Sequence, residues 1–169
     1  MTVVVITGIL ATIGFASLRH YASAARGTEA LNMVQSIRAA EERWRSEHMM
    51  YLNVSTNSAW YPRDPRTAPR DTVQAFYYPP GDGRHADSDT WLLLRPTAPG
   101  PVRFGYLVNA GAAGSTMTVP SGGPSVTWPT ATDNWYVIQA LGDVDGDGDL
   151  SYYRTSSLNG EVFTQNHGE

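Results

Sequence analysis

The sequence predicts an α+β fold, with one long N-terminal α-helix packed on a C-terminal antiparallel β-sheet. Three observations predict it. Residues 2–51 contain no proline, and their apolar residues recur at helical spacing. Residues 52–89 are interrupted by Pro62, Pro65, Pro69, Pro79 and Pro80, which excludes both helix and central strand. Residues 90–169 offer short apolar and aromatic runs separated by Gly, Pro, Ser and Asn. The chain thus divides into a helix over 1–51, an irregular proline-rich loop over 52–89, and a sheet with an acidic loop over 90–169. A length of 169 residues suits one domain.

The helix has two halves. Residues 1–18 carry no charge, and ~20 apolar residues are needed to cross ~30 Å of hydrocarbon. Arg19, His20 and Tyr21 follow as an interfacial end. A membrane or filament-core helix fits this segment best. A signal peptide cleaved at Ala22-Ser23-Ala24 would want a basic start, which is missing, and a buried core helix is rarely so uniformly apolar. In the second half, Ala30, Met33, Ile37, Ala40, Trp44 and Tyr51 form one apolar stripe. Arg38, Glu41, Glu42, Arg43, Arg45 and Glu47 lie mostly off it, with Glu41–Arg45 in the favourable i,i+4 order. A local break is expected at most near Gly14 or Gly27. A continuous helix of ~50 residues would be ~75 Å long. A compact domain of this size cannot enclose it, so the apolar half must lie in lipid or against other chains.

Beyond the loop, strands are expected at Thr90–Arg95, Val102–Val108, Asn134–Leu141, Leu150–Thr155 and Glu161–Gln165, with a weaker one at Ser115–Val119. Asn159-Gly160 suits a type I′ hairpin turn.

Composition removes much of enzyme chemistry. Cysteine is absent, so there are no disulfides, thiolate nucleophiles or cysteine metal sites. All 12 basic residues are arginine, which excludes a Walker A lysine and a Schiff-base lysine. His20, His48, His85 and His167 are scattered without an HExxH, and no GxSxG places a serine nucleophile. No catalytic residue is assigned. The formal net charge of −4 argues against general DNA affinity. The acidic excess belongs to the C-terminal third, where Arg154 is the only basic residue after Arg103.

One chemical constellation stands out. Asp143, Asp145, Asp147 and Asp149 alternate with Val144, Gly146 and Gly148, like the first half of an EF-hand loop. Hard oxygen donors on a tight loop suit Ca²⁺, and four acids this close repel one another without a cation. The twelfth position is Arg154 instead of a bidentate Glu, so further ligands would come from elsewhere, such as Asp133 or backbone carbonyls. A solvated acidic turn is the alternative. Arg63, Arg66 and Arg70 form a basic cluster in the proline loop, partly neutralised by Asp64 and Asp71. Asn53-Val54-Ser55 is a glycosylation sequon. Tyr77, Tyr78, Trp128, Trp135, Tyr152 and Tyr153 read as core more readily than as a sugar-binding surface.

Three stretches resemble the type IV pilin and pseudopilin family. Val3-Val4-Val5-Ile6-Thr7-Gly8-Ile9-Leu10-Ala11 is similar to its apolar amino-terminal helix. Ile37-Arg38-Ala39-Ala40-Glu41-Glu42-Arg43-Trp44, continuing to Tyr51, resembles the second half of that helix. Pro101–Tyr106, Asn134–Val137 and Asp143–Gly148 resemble the sheet and C-terminal region of some Gram-negative pilins. Departures exist. The family's leader, and the glutamate that follows its cleavage site, have no counterpart in these residues. Either the sequence starts late relative to the family or the glutamate is missing, so no residue is assigned to cleavage or methylation. The mid-segment proline is replaced near Ala16, and the disulfide of many relatives cannot form.

The resemblance implies a structural subunit of a type IV pilus-like extracellular filament serving adhesion, twitching motility or DNA uptake, with a type II secretion pseudopilin or minor pilin as the alternative. Val5, Ile6, Ile9, Leu10 and Ile13 would line the filament core. The implied partners are copies of the same chain, the inner-membrane assembly machinery, prepilin peptidase, and membrane lipid before assembly. Nucleic acid is not expected as a direct ligand. The implied location is the inner membrane, then the bacterial surface. Some pseudopilins hold Ca²⁺ in their C-terminal loops, which agrees with the Ca²⁺ reading of Asp143–Asp149. A reading of another class is a membrane-anchored or secreted Ca²⁺-binding recognition module.

Overall fold

The computed structural model describes the chain apart from residues 1, 56–58, 68–71, 118, 120–121, 144–146 and 168–169, and apart from the side chains of residues 2–6, 9–10, 13–20 and 22–23. It is an α+β fold. Helix α1 (Thr2–His48) is followed by a short helix α2 (Ser88–Leu94) and strands β1 (Gly105–Gly111), β2 (Trp135–Gly142), β3 (Ser151–Ser156) and β4 (Val162–Gln165). The strands form one antiparallel meander in the order β1-β2-β3-β4, with Gly105 opposite Leu141, Gly142 opposite Ser151 and Thr155 opposite Val162.

The second half of α1 covers one face of this sheet. Ala30, Met33, Val34, Ile37 and Ala40 are buried against Tyr106, Val108, Tyr136, Ile138, Ala140 and Tyr153. Each fully buried large aliphatic side chain contributes about 1.5–3 kcal/mol. Polar contacts fix the helix further. Glu29 accepts the Arg103 backbone N–H at 2.8 Å and its guanidinium at 3.1 Å, and Ser36 Oγ donates to the Thr97 carbonyl at 2.7 Å. Gly27 does not break the helix. It is a point of close approach, where a Cβ would lie 2.9 Å from Tyr153 Oη and from His167 Cε1.

α1 ends at His48, three residues short of the stripe's last member, because Met49 turns into the left-handed region (φ 61) while its N–H still donates to Arg45 O. Tyr51 packs beyond the helix, its ring edge-on to Tyr136 at 4.7 Å. The expected Glu41–Arg45 pair does not form. Arg45 reaches Asp133 at 2.7 Å, whereas Glu41 is wholly buried.

The opposite sheet face is covered by loops. Leu107 and Leu141 pack with Trp60, Leu150 and Tyr152, and Trp135 and Val137 pack with Ala131, Met117, Val119 and Trp128. Every residue of β2 is therefore buried, which accounts for the unbroken run Trp135-Tyr136-Val137-Ile138 where a one-sided strand would alternate.

Four expectations need correction. Thr90–Arg95 is not a strand, since it lies mostly in α2. Trp91 and Leu94, three residues apart, are buried while Leu93 is 61% exposed. That is helical periodicity, where a strand would bury residues two apart. Ser115–Val119 forms no strand among its described residues, and the strand expected at Val102–Val108 is shifted to Gly105–Gly111. Gly160 alone of the pair Asn159-Gly160 takes a positive φ (68°). A type I′ turn requires two such residues, so β3 and β4 are joined by a longer loop.

The proline loop has a definite place. Tyr61 bridges Tyr106, Gln74 bridges Val102, and Ser55 N–H donates to Val108 O at 2.9 Å. These contacts run along and just beyond the outer edge of β1, where unpaired backbone groups would otherwise face solvent.

Candidate functional site

Two regions carry the functional expectations: the first half of α1 and the turn between β2 and β3. Among the described residues of α1, the buried ones begin at Gly27 and continue through Ala30, Met33 and Ile37. Among the described residues before Gly27, Thr7, Gly8, Ala11, Thr12, Tyr21, Ala24 and Ala25 are exposed, and a Cβ built on Gly8 meets nothing within 4 Å. Val5, Ile6, Ile9, Leu10 and Ile13 lie within the helix by backbone, but their side chains fall outside the described residues. Among the described residues no helix is long and apolar enough to cross a membrane. The apolar segment 1–18 falls mainly on side chains that are not described.

The β2–β3 pairing Gly142↔Ser151 closes the acidic loop at residues 143–150. Asp143 Oδ2 accepts the Gly148 N–H at 3.1 Å, and Asp147 Oδ1 accepts the Asp149 N–H at 2.7 Å. Gly148 takes φ 105, a conformation that glycine adopts without strain. The described ends of the loop are thus held by carboxylates of the loop itself. Asp145 lies outside the described residues. Asp133 is not at this loop. It precedes β2 whereas the loop follows it, and the eight residues of the strand separate the two by about 26 Å at ~3.3 Å per residue. Asp133 instead pairs with Arg45 at 2.7 Å, away from the loop. Among the described residues no group of three or more His, Cys, Asp or Glu side chains is placed to hold a metal.

The basic cluster is dispersed by local pairing. Arg66 meets Asp64 at 2.6 Å, which holds the Asp64 carboxyl below its ordinary range, and Arg63 donates to the Thr72 carbonyl. Arg70 and Asp71 lie outside the described residues. The sequon is part of the sheet edge, with Asn53 Oδ1 accepting the Ala110 N–H at 3.2 Å and the buried Ser55 accepting the Val108 N–H through Oγ at 3.1 Å. Of the aromatics, Tyr78, Trp135 and Tyr153 are buried, while Tyr77, Trp128 and Tyr152 are half-buried. His48 stacks on Trp44 at 3.8 Å on the exposed end of α1.

Three buried charged residues among the described ones escaped sequence reasoning: Glu41, Arg154 and Asp87, which stands at the start of α2. Glu41 follows Val34 by seven residues and Ile37 by four, so it shares their face; that spacing was the available signal. Arg154 has no comparable signal. It is 6% exposed and donates to Gln139 Oε1 at 2.8 and 3.1 Å, to Pro124 O at 2.6 Å and to Gly122 O. It thereby clamps the loop that covers the sheet's second face.

No family model, no curated protein and no solved structure matches this chain.

Proposed function

We propose that this chain is a structural subunit of a type IV pilus-like extracellular filament, assembled through its apolar N-terminal helix. The supporting observation is the division of α1. The domain packs against residues from Gly27 onward, while the described residues before it, Thr7 to Ala25, are exposed. A helix of 47 residues is ~70 Å long, and its uncharged first 18 residues suit an apolar surrounding. Lipid supplies it before assembly, and a bundle of identical helices supplies it afterwards, so the transfer never exposes the segment to water. In this reading Val5, Ile6, Ile9, Leu10 and Ile13 form the filament core, and the subunit performs no catalysis. It resides in the inner membrane, is processed by prepilin peptidase and assembled by the inner-membrane machinery, then functions on the cell surface in adhesion, motility or DNA uptake. A pseudopilin or minor pilin would use the same assembly.

The test is removal of detergent from the purified full chain, followed by negative-stain microscopy. Regular fibres are expected. The acidic loop, with Asp143 and Asp147 already ordered around it, favours a second reading, a membrane-anchored or secreted Ca²⁺-binding recognition module. That reading predicts dispersed or irregularly aggregated protein in the same experiment.

A further inference from the structure

Glu41 sits where α1, the sheet and the segment following the helix meet, and it is 0% exposed. Its Oε2 accepts the Leu52 N–H at 2.9 Å, and its Oε1 has no hydrogen-bond partner. Among the described residues no basic side chain forms an ion pair with it. Glu42 on α1 and Tyr136 on β2 act on it electrostatically, and beyond them Arg38 faces Tyr136 while Arg45 and Tyr51 face Glu42 and each other. The nearby cations are engaged elsewhere: Arg38 donates to Gly160 O at 3.0 Å, and Arg45 bonds Tyr51 and Asp133.

Leu52 opens a segment that lies on the outer edge of β1. Ser55 exchanges hydrogen bonds with Val108, Asn109 Nδ2 donates to Ser55 O at 3.0 Å, and Ala110 N–H reaches Asn53. Glu41 therefore ties the helix to the strap that covers an otherwise open strand edge.

We propose that Glu41 is a pH-operated latch. Protonated, it fastens residues 51–55 across the edge of β1, and loss of its proton loosens the strap and bares that edge. A neutral carboxyl suits a dry site with a single backbone donor. An ionised one would leave an unneutralised charge in the core beside Glu42. Desolvation raises Glu41 from 4.5 to about 8; the Leu52 hydrogen bond opposes the rise and repulsion from Glu42 adds to it. The native state therefore holds the proton more tightly than the unfolded chain does. The stabilising effect is complete below about 4.5, declines as pH rises, and is gone once pH has passed about 8. Within that window the folded-to-unfolded ratio falls by up to roughly tenfold per pH unit.

The test is backbone hydrogen exchange of the full chain in detergent micelles between pH 5 and 9, corrected for intrinsic exchange, read at Leu52, Ser55 and Val108. Protection is expected to fall progressively from pH 5 to about 8 and to level off above it in the wild type, and to stay level in Glu41→Gln, which keeps an acceptor for Leu52 without an ionisable group. Identical pH profiles in the two proteins would overturn the proposal. A direct ¹³C titration of the Glu41 carboxyl in the wild type decides the matter even if the variant does not fold. A midpoint well above the ordinary carboxylate value supports the latch, and one near 4.5 overturns it.

Discussion

Arg154 and Gly105 show how much of this fold rests on single positions. Burial lowers the Arg154 pKa from its ordinary value, yet four acceptor contacts hold the guanidinium between β2 and the 122–124 loop. Arg154→Ala leaves those carbonyl and amide oxygens unpaired and opens a cavity, and is expected to cost about 2–4 kcal/mol by urea titration. Arg154→Lys should restore only part of this, because an ammonium lacks the planar fork. At Gly105 a Cβ would lie 2.7 Å from the Arg63 carbonyl and 2.8 Å from Pro65 Cδ. Backbone cannot yield as a side-chain tip can, so Gly105→Ala is expected to lose about 1–3 kcal/mol, measured as a lowered melting temperature. The sequence shows a glycine and an arginine at these positions; it does not show which loop comes against them.

At the scale of elements, the acidic loop and α2 teach opposite lessons. Asp143–Asp149 was legible as a turn because alternating aspartates and glycines favour local side-chain-to-backbone hydrogen bonds, and two such bonds are present. If the loop holds Ca²⁺, the ion stabilises the native state by ~2.7 kcal/mol at ~100 times its dissociation constant. EDTA should then lower the melting temperature, Ca²⁺ but not Mg²⁺ should restore it, and Asp145→Asn should remove most of the response. A melting curve indifferent to EDTA at low salt would identify a bare acidic turn. The short run Ser88–Leu94, in contrast, misled. Its four consecutive apolar residues, Trp91 to Leu94, satisfy helix and strand patterns alike. What decides it is the aromatic cluster that receives Trp91, whose ring stacks on Tyr61 at 5.1 Å.

Among the described residues, the domain's packing draws on α1 from Gly27 onward. On the proposed filament reading, a charge in the first half of α1 should spare the domain. Ile9→Asp is expected to abolish filament assembly while leaving the sheet domain's melting and near-UV spectrum unchanged. A carboxylate at the centre of an apolar bundle costs several kcal/mol and finds no partner among packed identical helices. Fibres of normal abundance from this variant would show that the segment is not the filament core.

The sequence by itself determined the α+β class, the helix stripe from Ala30 to Ala40, the central strand around Trp135–Leu141 and the place of the acidic connection between β2 and β3. Each of these follows from periodicity or local hydrogen bonding, which act between near neighbours in the chain. The tertiary structure alone decided the burial of Arg154, the helical state of Ser88–Leu94, the use of the proline loop to cover β1, and the partners of Arg45 and Asp133, which are 88 residues apart. The partner of Glu41 and its two unequal oxygens likewise come from a turn taken after the helix ends. These features depend on which surfaces meet once the chain has closed on itself, and pairwise desolvation at such meetings has no counterpart in the spacing of residues along the chain.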